Sequence, residues 1–431
     1  MNFNINKNVL SNALSIVSHA VFSNSPQASL RGIKIEAKND SLILTGSDSD
    51  ISIQKTIQKN EDNNLNITEE GSILIDSKYV LDIVKKIDSE NVQVEIIDGS
   101  LTRFSGASAV FKINGMNVYD YPKIDFSLPE EPIVMKQSEL ASIIEETAFA
   151  ASLKETRPVL TGVNFKLNEN ELVITATDSY RLAKKILHLE TAHSFNITIP
   201  SKSLNEVKTT MLTSNDTISI YQNNKKVQFV IDDMILQSRL LDGGYPETDR
   251  LIPSSFSYTL KMNRQDLIKA IDRTTFIKND NMTINKLQCS VDEVVITNKS
   301  QEIGESREVL NAEWTGDPLN ISFSGNYVMD AAKALKDEED KMNLNLSQVD
   351  GSILSISQFT LYADCHKGNR PSFSYAGKPA IAEPLYLYFN EYLRKIGIHV
   401  EEGIFGADMK VELLNDCPVT IILDSDIDIR K

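Results

Sequence analysis

The chain has 431 residues, 41% hydrophobic and 24% charged, enough at about 100 to 200 residues per domain for three or four buried cores. It carries 44 Lys and Arg against 60 Asp and Glu, and a net charge of −16 excludes broad, nonspecific adhesion to nucleic acid while leaving room for a local basic lining. No apolar run approaches the roughly 18 residues of a membrane span. No basic-then-apolar leader opens the chain, so a cytoplasmic location is expected. The cysteines Cys289, Cys365 and Cys417 are odd in number and scattered, which fits a reducing compartment and argues against a disulfide framework or a zinc site. His19, His188, His193, His366 and His399 show no paired ligand spacing, so neither metal nor cofactor is expected.

Taken in order, the chain repeats itself. Leu10, Ala13, Leu14 and Val17 form an i, i+3, i+4, i+7 stripe that predicts a helix at the start of the first repeat. Leu140, Ile143, Ile144 and Thr147 repeat it, and Leu267, Ala270, Ile271 and Thr274 do so again. A hairpin follows each time. GIKIEAKNDSLILTGSDSDISIQ from Gly32 and GVNFKLNENELVITATDSYRLAKK from Gly162 alternate apolar and polar residues around an Asn-containing turn, as half-buried antiparallel strands do. LQCSVDEVVITNKSQEIGESREVL is a looser third version.

A second helix preceded by a strand comes next: GSILIDSKYVLDIVKKI from Gly71, FNITIPSKSLNEVKTTM from Phe195 and LNISFSGNYVMDAAKAL from Leu319. Ile75, Ile199 and Phe323 fall 124 residues apart both times, the mark of one structural unit used several times. Two repeats then close with further strands before Tyr121-Pro122 and Tyr245-Pro246. The third has no such closing hairpin. KDEEDKMNLNLSQVDG leads instead into ILSISQFTLYA, and Ile353 to Tyr362 reads as a strand apolar on both faces that could cover the exposed edge.

A threefold unit of helix, strands, helix and strands, with Tyr-Pro at the junctions and ATDSYRLA in the middle unit, resembles the bacterial beta sliding clamp over residues 1 to about 335. The resemblance implies a non-catalytic, head-to-tail homodimeric ring of six similar domains whose helices line a hole for double-stranded DNA. It also implies a pocket where the replicative DNA polymerase and clamp loader dock short peptide motifs. Matched residue by residue, that pocket is Leu160, Thr177, Tyr180, Arg181 and Leu182, with Pro246, Arg250 and Leu251 on the domain connection. An apolar cup with Arg and Tyr at its rim suits an apolar peptide anchor. Leu160 and Leu182 also read as ordinary core. The family's remaining pocket wall comes from C-terminal strands that do not occur here. The same resemblance puts Phe111, Ile113, Phe276 and Ile277 at the dimer interface. Lys154 and Arg157, on a second-repeat loop, either face DNA or are solvated surface.

From about Asp337 to Ser425 the text resembles the larger, C-terminal part of a D-aminoacyl-tRNA deacylase, through SQFTLYA, KGNRPSF, FGADMKVELLND and PVTIILDS. The family's opening strands and first helix are missing. Ser357, Gln358, Phe359 and Thr360 match the catalytic segment that lines the family's pocket, and Asn415 and Pro418 match its chirality filter. Cys417 stands where that family has glycine, which matters because glycine serves where backbone must approach a ligand closely. By residue chemistry alone, Thr360 reads first as a β-former in a buried strand. With 9 Lys and Arg against 16 Asp and Glu in residues 337–431, the tail has no basic surface for tight tRNA binding, although D-aminoacyl-tRNA is the partner the family implies.

The expected fold is α+β: clamp domains over 1–125 and 126–253, a third over 254–335 lacking its closing strands, and a partial α/β deacylase-like domain over 336–431. Three readings stay open. The chain is a DNA clamp, a hydrolase of D-aminoacyl-tRNA esters, or a junction of two truncated genes that performs neither task fully.

Overall fold

The computed structural model describes residues 1–129, 131–189, 194–211, 216–253, 255–277, 283–335, 352–355, 357, 373, 376–395 and 399–407. The chain divides into two compact units, Met1–Leu335 and Lys336–Lys431.

In the first unit each repeat begins with a short strand, which the helical periodicity conceals. The first repeat runs β1 (Asn2–Asn6), α1 (Lys7–Ser18), β2 (Gly32–Lys38), β3 (Ser41–Ser47), β4 (Ile51–Gln58), β5 (Asn66–Glu69), β6 (Gly71–Asp76), α2 (Ser77–Lys86), β7 (Asn91–Asp98), β8 (Leu101–Gly106) and β9 (Ala109–Asn114). The second runs β10 (Ile133–Lys136), α3 (Gln137–Thr147), β11 (Gly162–Asn168), β12 (Glu171–Thr177), β13 (Leu182–His188), β14 (Phe195–Pro200), α4 (Ser201–Thr210), β15 (Thr217–Gln222), β16 (Lys226–Ile231) and β17 (Met234–Arg239). The third has β18 (Thr259–Met262), α5 (Arg264–Asp272), β19 (Ile284–Cys289), β20 (Val294–Ser300), β21 (Gly304–Leu310), β22 (Ala312–Thr315), β23 (Leu319–Ser324) and α6 (Gly325–Ala334).

Three of the helices, α1, α2 and α5, start where an Asn or Asp side chain takes up a free backbone N–H. Asn6 Oδ1 accepts from Asn8 N at 2.9 Å, Asp76 Oδ1 from Lys78 N at 3.0 Å and Asn263 Oδ1 from Gln265 N at 2.8 Å. The apolar stripes face inward: Leu10, Ala13, Leu14 and Val17 of α1 and Leu140, Ile143, Ile144 and Thr147 of α3 are all buried. In α5 only Ala270 and Ile271 are buried, with Leu267 half-buried, and the third repeat has a smaller core cluster of its own. Helices pair within each repeat, α1 on α2, α3 on α4 and α5 on α6. Gly46 permits the close packing of the first pair on its sheet, since a Cβ there would lie 2.6 Å from the Val17 carbonyl oxygen.

The strands assemble in the orders β5-β1-β7-β8-β9, β10-β15-β16-β17-β4-β3-β2-β6, β13-β12-β11-β14, β18-β22 and β21-β20-β19-β23. The eight-stranded sheet passes from the second repeat into the first because β17 pairs antiparallel with β4, from Met234 opposite Lys55 to Ser238 opposite Ile51. Three of the strands that end a sheet in these orders bear on the joints between repeats. Among the described residues β9, β13 and β21 each have one partner strand. Likewise β18 pairs only with β22, whereas β1 lies between β5 and β7.

The second unit contains β24 (Ser352–Ser355), α7 (Pro379–Lys395) and β25 (His399–Glu402). β24 and β25 are parallel, with Ser352 opposite His399 and Ser355 opposite Glu402, and the helix supplies the crossover that parallel strands require. Tyr386 Oη lies 2.7 Å from the Ser355 carbonyl oxygen, and the buried Asn390 donates from Nδ2 to Glu402 Oε2 at 2.7 Å. Of the expected edge-covering strand, Ile353 to Ser355 lie in β24 and are paired with β25.

Candidate functional site

The turn between β12 and β13 is built around Asp178. Its Oδ1 accepts from Tyr180 N at 2.9 Å and Arg181 N at 3.0 Å, and Ser179 adopts a positive φ of 77° to close the turn. Thr177, buried, donates from Oγ1 to the Arg181 carbonyl at 2.6 Å. This fixes where the Arg181 side chain leaves the backbone.

The guanidinium then makes four contacts. Nε donates to Asp178 Oδ2 at 3.1 Å and Nη1 to Asp330 Oδ2 of α6 at 2.6 Å. Its carbon lies 4.5 Å from the Tyr327 ring centre and 5.5 Å from that of Phe149. With side-chain exposures of 17% for Arg181 and 10% for Asp178, the first ion pair is largely withdrawn from water and is held by geometry as well as charge. Tyr180, 82% exposed, stands beside the cluster with its ring 6.4 Å from that of Tyr327.

The connector meets the site from the other side. Tyr245 Oη accepts from Thr177 N at 2.9 Å, and burial pushes its phenol up to about 12. Lys184 Nζ donates to Asp249 Oδ1 at 2.8 Å, and that lysine holds the Asp249 carboxyl below the usual carboxylate range. Pro246 lines a cleft of about 140 Å³ with Lys166, Thr175, Tyr245 and Thr248. Arg250 and Leu251 are exposed, while Leu160 is buried and its carbonyl accepts from Ser152 N at 2.8 Å. Leu182 is half-buried at the start of β13. The structure therefore gathers Thr177, Tyr180 and Arg181 with residues that were not singled out from sequence: Phe149, Tyr245, Tyr327 and Asp330. A signal existed for the last two. Asp82, Glu206 and Asp330 recur three residues after Tyr79, Ser203 and Tyr327 in the helix that follows each DSK, PSK or SGN turn. A wider cleft of about 610 Å³, lined by Asn8, Asn12, Lys55, Gln58, Asn60 and Asp233, is a separate feature at the start of α1.

Of the interface candidates, Phe111 and Ile113 are half-buried on β9, packed against the main core. Phe276 is 65% exposed, whereas Ile277 is 2% exposed and its carbonyl accepts from Asn298 Nδ2 at 3.0 Å. Phe276 thus presents the free apolar surface of that pair. Lys154 and Arg157 are exposed on the loop after α3, next to Leu153 at 95% exposure. In the second unit Ser357 is half-buried just after β24, and Gln358, Phe359, Thr360, Asn415, Cys417 and Pro418 lie outside the described residues. No group of three or more His, Cys, Asp or Glu able to hold a metal occurs among the described residues.

The N-terminal, central and C-terminal domain families of the DNA polymerase III beta subunit match residues 1–125, 134–247 and 249–355. The D-Tyr-tRNA(Tyr) deacylase family matches residues 327–424, so the last two matches overlap over 327–355. The beta sliding clamp of Staphylococcus epidermidis is 37% identical over 344 residues, covering 79% of this chain and 91% of the relative. The Streptococcus pneumoniae DNA polymerase III beta chain structure superposes with a TM-score of 0.75 at 34% identity, covering 78% of this chain and 91% of that one. The Bacillus subtilis sliding clamp gives 0.74 at 35% identity, covering 78% and 90%. The chain belongs to the beta sliding clamp family, with a segment matching the D-Tyr-tRNA(Tyr) deacylase family joined behind it.

Proposed function

We propose that two copies of this chain close head to tail into a ring around double-stranded DNA and dock the replicative polymerase and clamp loader, through short peptides, at the Arg181 cluster. In this reading 1–125, 126–253 and 254–335 are clamp domains and 336–431 is a partial deacylase-like domain. The protein acts in the cytoplasm and needs no cofactor.

The observation that carries it is the β17–β4 joint, which supplies a template for the ring contact. Lys55 faces Leu44 across its hairpin, Lys185 faces Ile174 and Glu308 faces Ile296, so β4, β13 and β21 share one register. Transferring the β17–β4 pairing to β9 and a second copy's β21 sets Lys112 opposite Glu305 and Phe111 opposite Ser306. Opposite charges directly across a strand pair contribute about 0.2–1 kcal/mol each. The same transfer onto β13 would set Lys112 opposite Leu182, two residues from Lys184, which is less favourable. The ring should therefore join first repeat to third, with Phe276 at its border.

Loading on a circular duplex tests the topological part. The protein should stay on the closed circle in high salt and leave once the circle is cut, because a ring holds by closure. Equal loss from both forms as salt rises would mean ordinary electrostatic binding, and weaker low-salt binding in Lys154→Ala and Arg157→Ala would then locate it.

A second reading rests on the match over 327–424: the tail hydrolyses D-aminoacyl-tRNA. Little or no turnover is expected, because the resemblance lacks the family's opening strands and Cys417 replaces the filter glycine; an active pocket must be held to within about 0.5 Å by packed neighbours. Incubation with D-tyrosyl-tRNA decides it. Hydrolysis abolished by Thr360→Ala would make the tail an enzyme, and recovery in Cys417→Gly would identify the cysteine as the block.

A further inference from the structure

We propose that the outer edge of β13 is a second docking surface, which takes an extended peptide as an added antiparallel strand, the peptide carrying an acidic residue followed by apolar ones. The inference rests on the peptide-docking reading for its class of partner and departs from it in the surface used.

Three observations support it. First, β12 is the one strand paired with β13 among the described residues, while its counterpart β4 carries β17 on the same edge. Second, the edge presents its backbone groups in the right phase. Leu189 N donates to Asn170 O, which by the alternation of antiparallel ladders turns the N–H and C=O of Leu182, Lys184 and Ile186 outward. Their register counterparts Ser52, Gln54 and Thr56 face β17, whose ladder is fixed at both ends by Thr56 N to Asp233 O and Arg239 N to Asp50 O, each 2.9 Å. Third, the occupied edge specifies the chemistry. Lys55 is ion-paired with Asp233, and the strand that follows that aspartate reads Met234-Ile235-Leu236. Lys185 holds the Lys55 position, and β13 carries Lys184, Lys185 and no acid. Lys185 is now turned to Glu146 Oε1 at 2.7 Å, on the side chain 21% exposed, so an incoming carboxylate would compete for it near the surface.

Backbone ladder formation gives such a contact its affinity and the alternate side chains give it specificity. An unprotected edge is otherwise an aggregation hazard. A second copy's own β13 is a poor occupant, since Lys184 and Lys185 would meet their like.

The probe is a fluorescein-labelled peptide with the sequence of residues 232–239, titrated into the full chain and followed by anisotropy. Saturable binding is expected, weakened at least tenfold by N-methylation at the positions of Ile235 and Gln237, whose amides would face β13. N-methylation at Leu236 and Ser238, whose amides would face away, should change it less than threefold. Lys185→Glu should weaken it at least tenfold, and an unlabelled polymerase-derived docking peptide should leave it bound. Failure of the polymerase peptide to bind would count against the Arg181 pocket alone. Absence of probe binding at millimolar protein, equal effects of the two methylation patterns, or displacement by the polymerase peptide would each overturn the β13 proposal.

Discussion

The joint between the first and second repeats and the joint between the second and third hold by different means. At the first, β17 and β4 share a backbone ladder over fully buried Leu236 and Ile53, and His19 Nδ1 lies 3.1 Å from Glu206 Oε2 beside it. At the second, no strand pair crosses among the described residues, and the crossing contacts gather at Arg181, which meets Asp330 and Tyr327 of α6. Register makes the two comparable: Phe149 holds the place of His19, and Asp330 that of Glu206. A ladder spreads a joint over many modest bonds, so one polar change should barely move it. A single guanidinium concentrates the joint, and its loss should be felt across the third repeat.

The largest effect should come from attacking the ladder's core. Leu236→Ala leaves a cavity under β4 and β17, a change that costs about 2–5 kcal/mol in comparable cores. Hydrogen exchange should accelerate in both strands together; acceleration in β17 alone would mean that the strands are not one cooperative unit. Next is Arg181→Ala, which strands Asp178 in a largely buried place and removes both ring contacts, for about 2–4 kcal/mol once partial exposure is allowed for. Residues 256–335 should exchange faster than 128–250 even in the unmodified chain, and the gap should widen in the variant. Equal protection would break the contrast between the joints.

A pH series sharpens it further. Tyr245 ionises near pH 12 when folded, against about 10 when unfolded. The folded state therefore keeps its proton where the unfolded state loses it, and stability conferred by the neutral phenol is full below pH 10 and declines from 10 to 12. Tyr245→Phe should flatten the decline of the second repeat in that window; an unchanged alkaline profile would remove Tyr245 from the account. The smallest effect belongs to Glu206→Gln, at about 0–1 kcal/mol, because a partly exposed pair beside an intact ladder contributes little. A drop comparable with that of Arg181→Ala would contradict the division of labour.

Much of this fold was legible in the sequence because period and spacing report local structure. The α1 and α3 stripes, the hairpins from Gly32 and Gly162, and the strand-helix copies through Ile75, Ile199 and Phe323 all occur where the pattern puts them. The opening strands β1, β10 and β18 were hidden by their brevity: four or five residues abutting a helix leave too little alternation to separate from it. The site was half legible. Thr177, Tyr180 and Arg181 lie in one short motif, but Asp330 is 149 residues from Arg181, and only tertiary packing brings it there. Phe276 and Ile277 show the same limit at closer range, since adjacent apolar residues take opposite sides of a turn that composition does not describe. In the tail, Ile353 falls within both the clamp C-terminal-domain match and the deacylase match, and its pairing with Val400 was not available from the sequence pattern.

In the proposed ring the open first-repeat edge closes on the open third-repeat edge of a second copy. Sedimentation velocity on charge-reversed variants tests it most directly. The unmodified chain should sediment as a dimer at micromolar concentration, Lys112→Glu and Glu305→Lys should each shift it towards monomer, Ile113→Asp should dissociate it, and the double reversal should restore the dimer. A monomeric wild type, or a double reversal no better than either single change, would contradict the account.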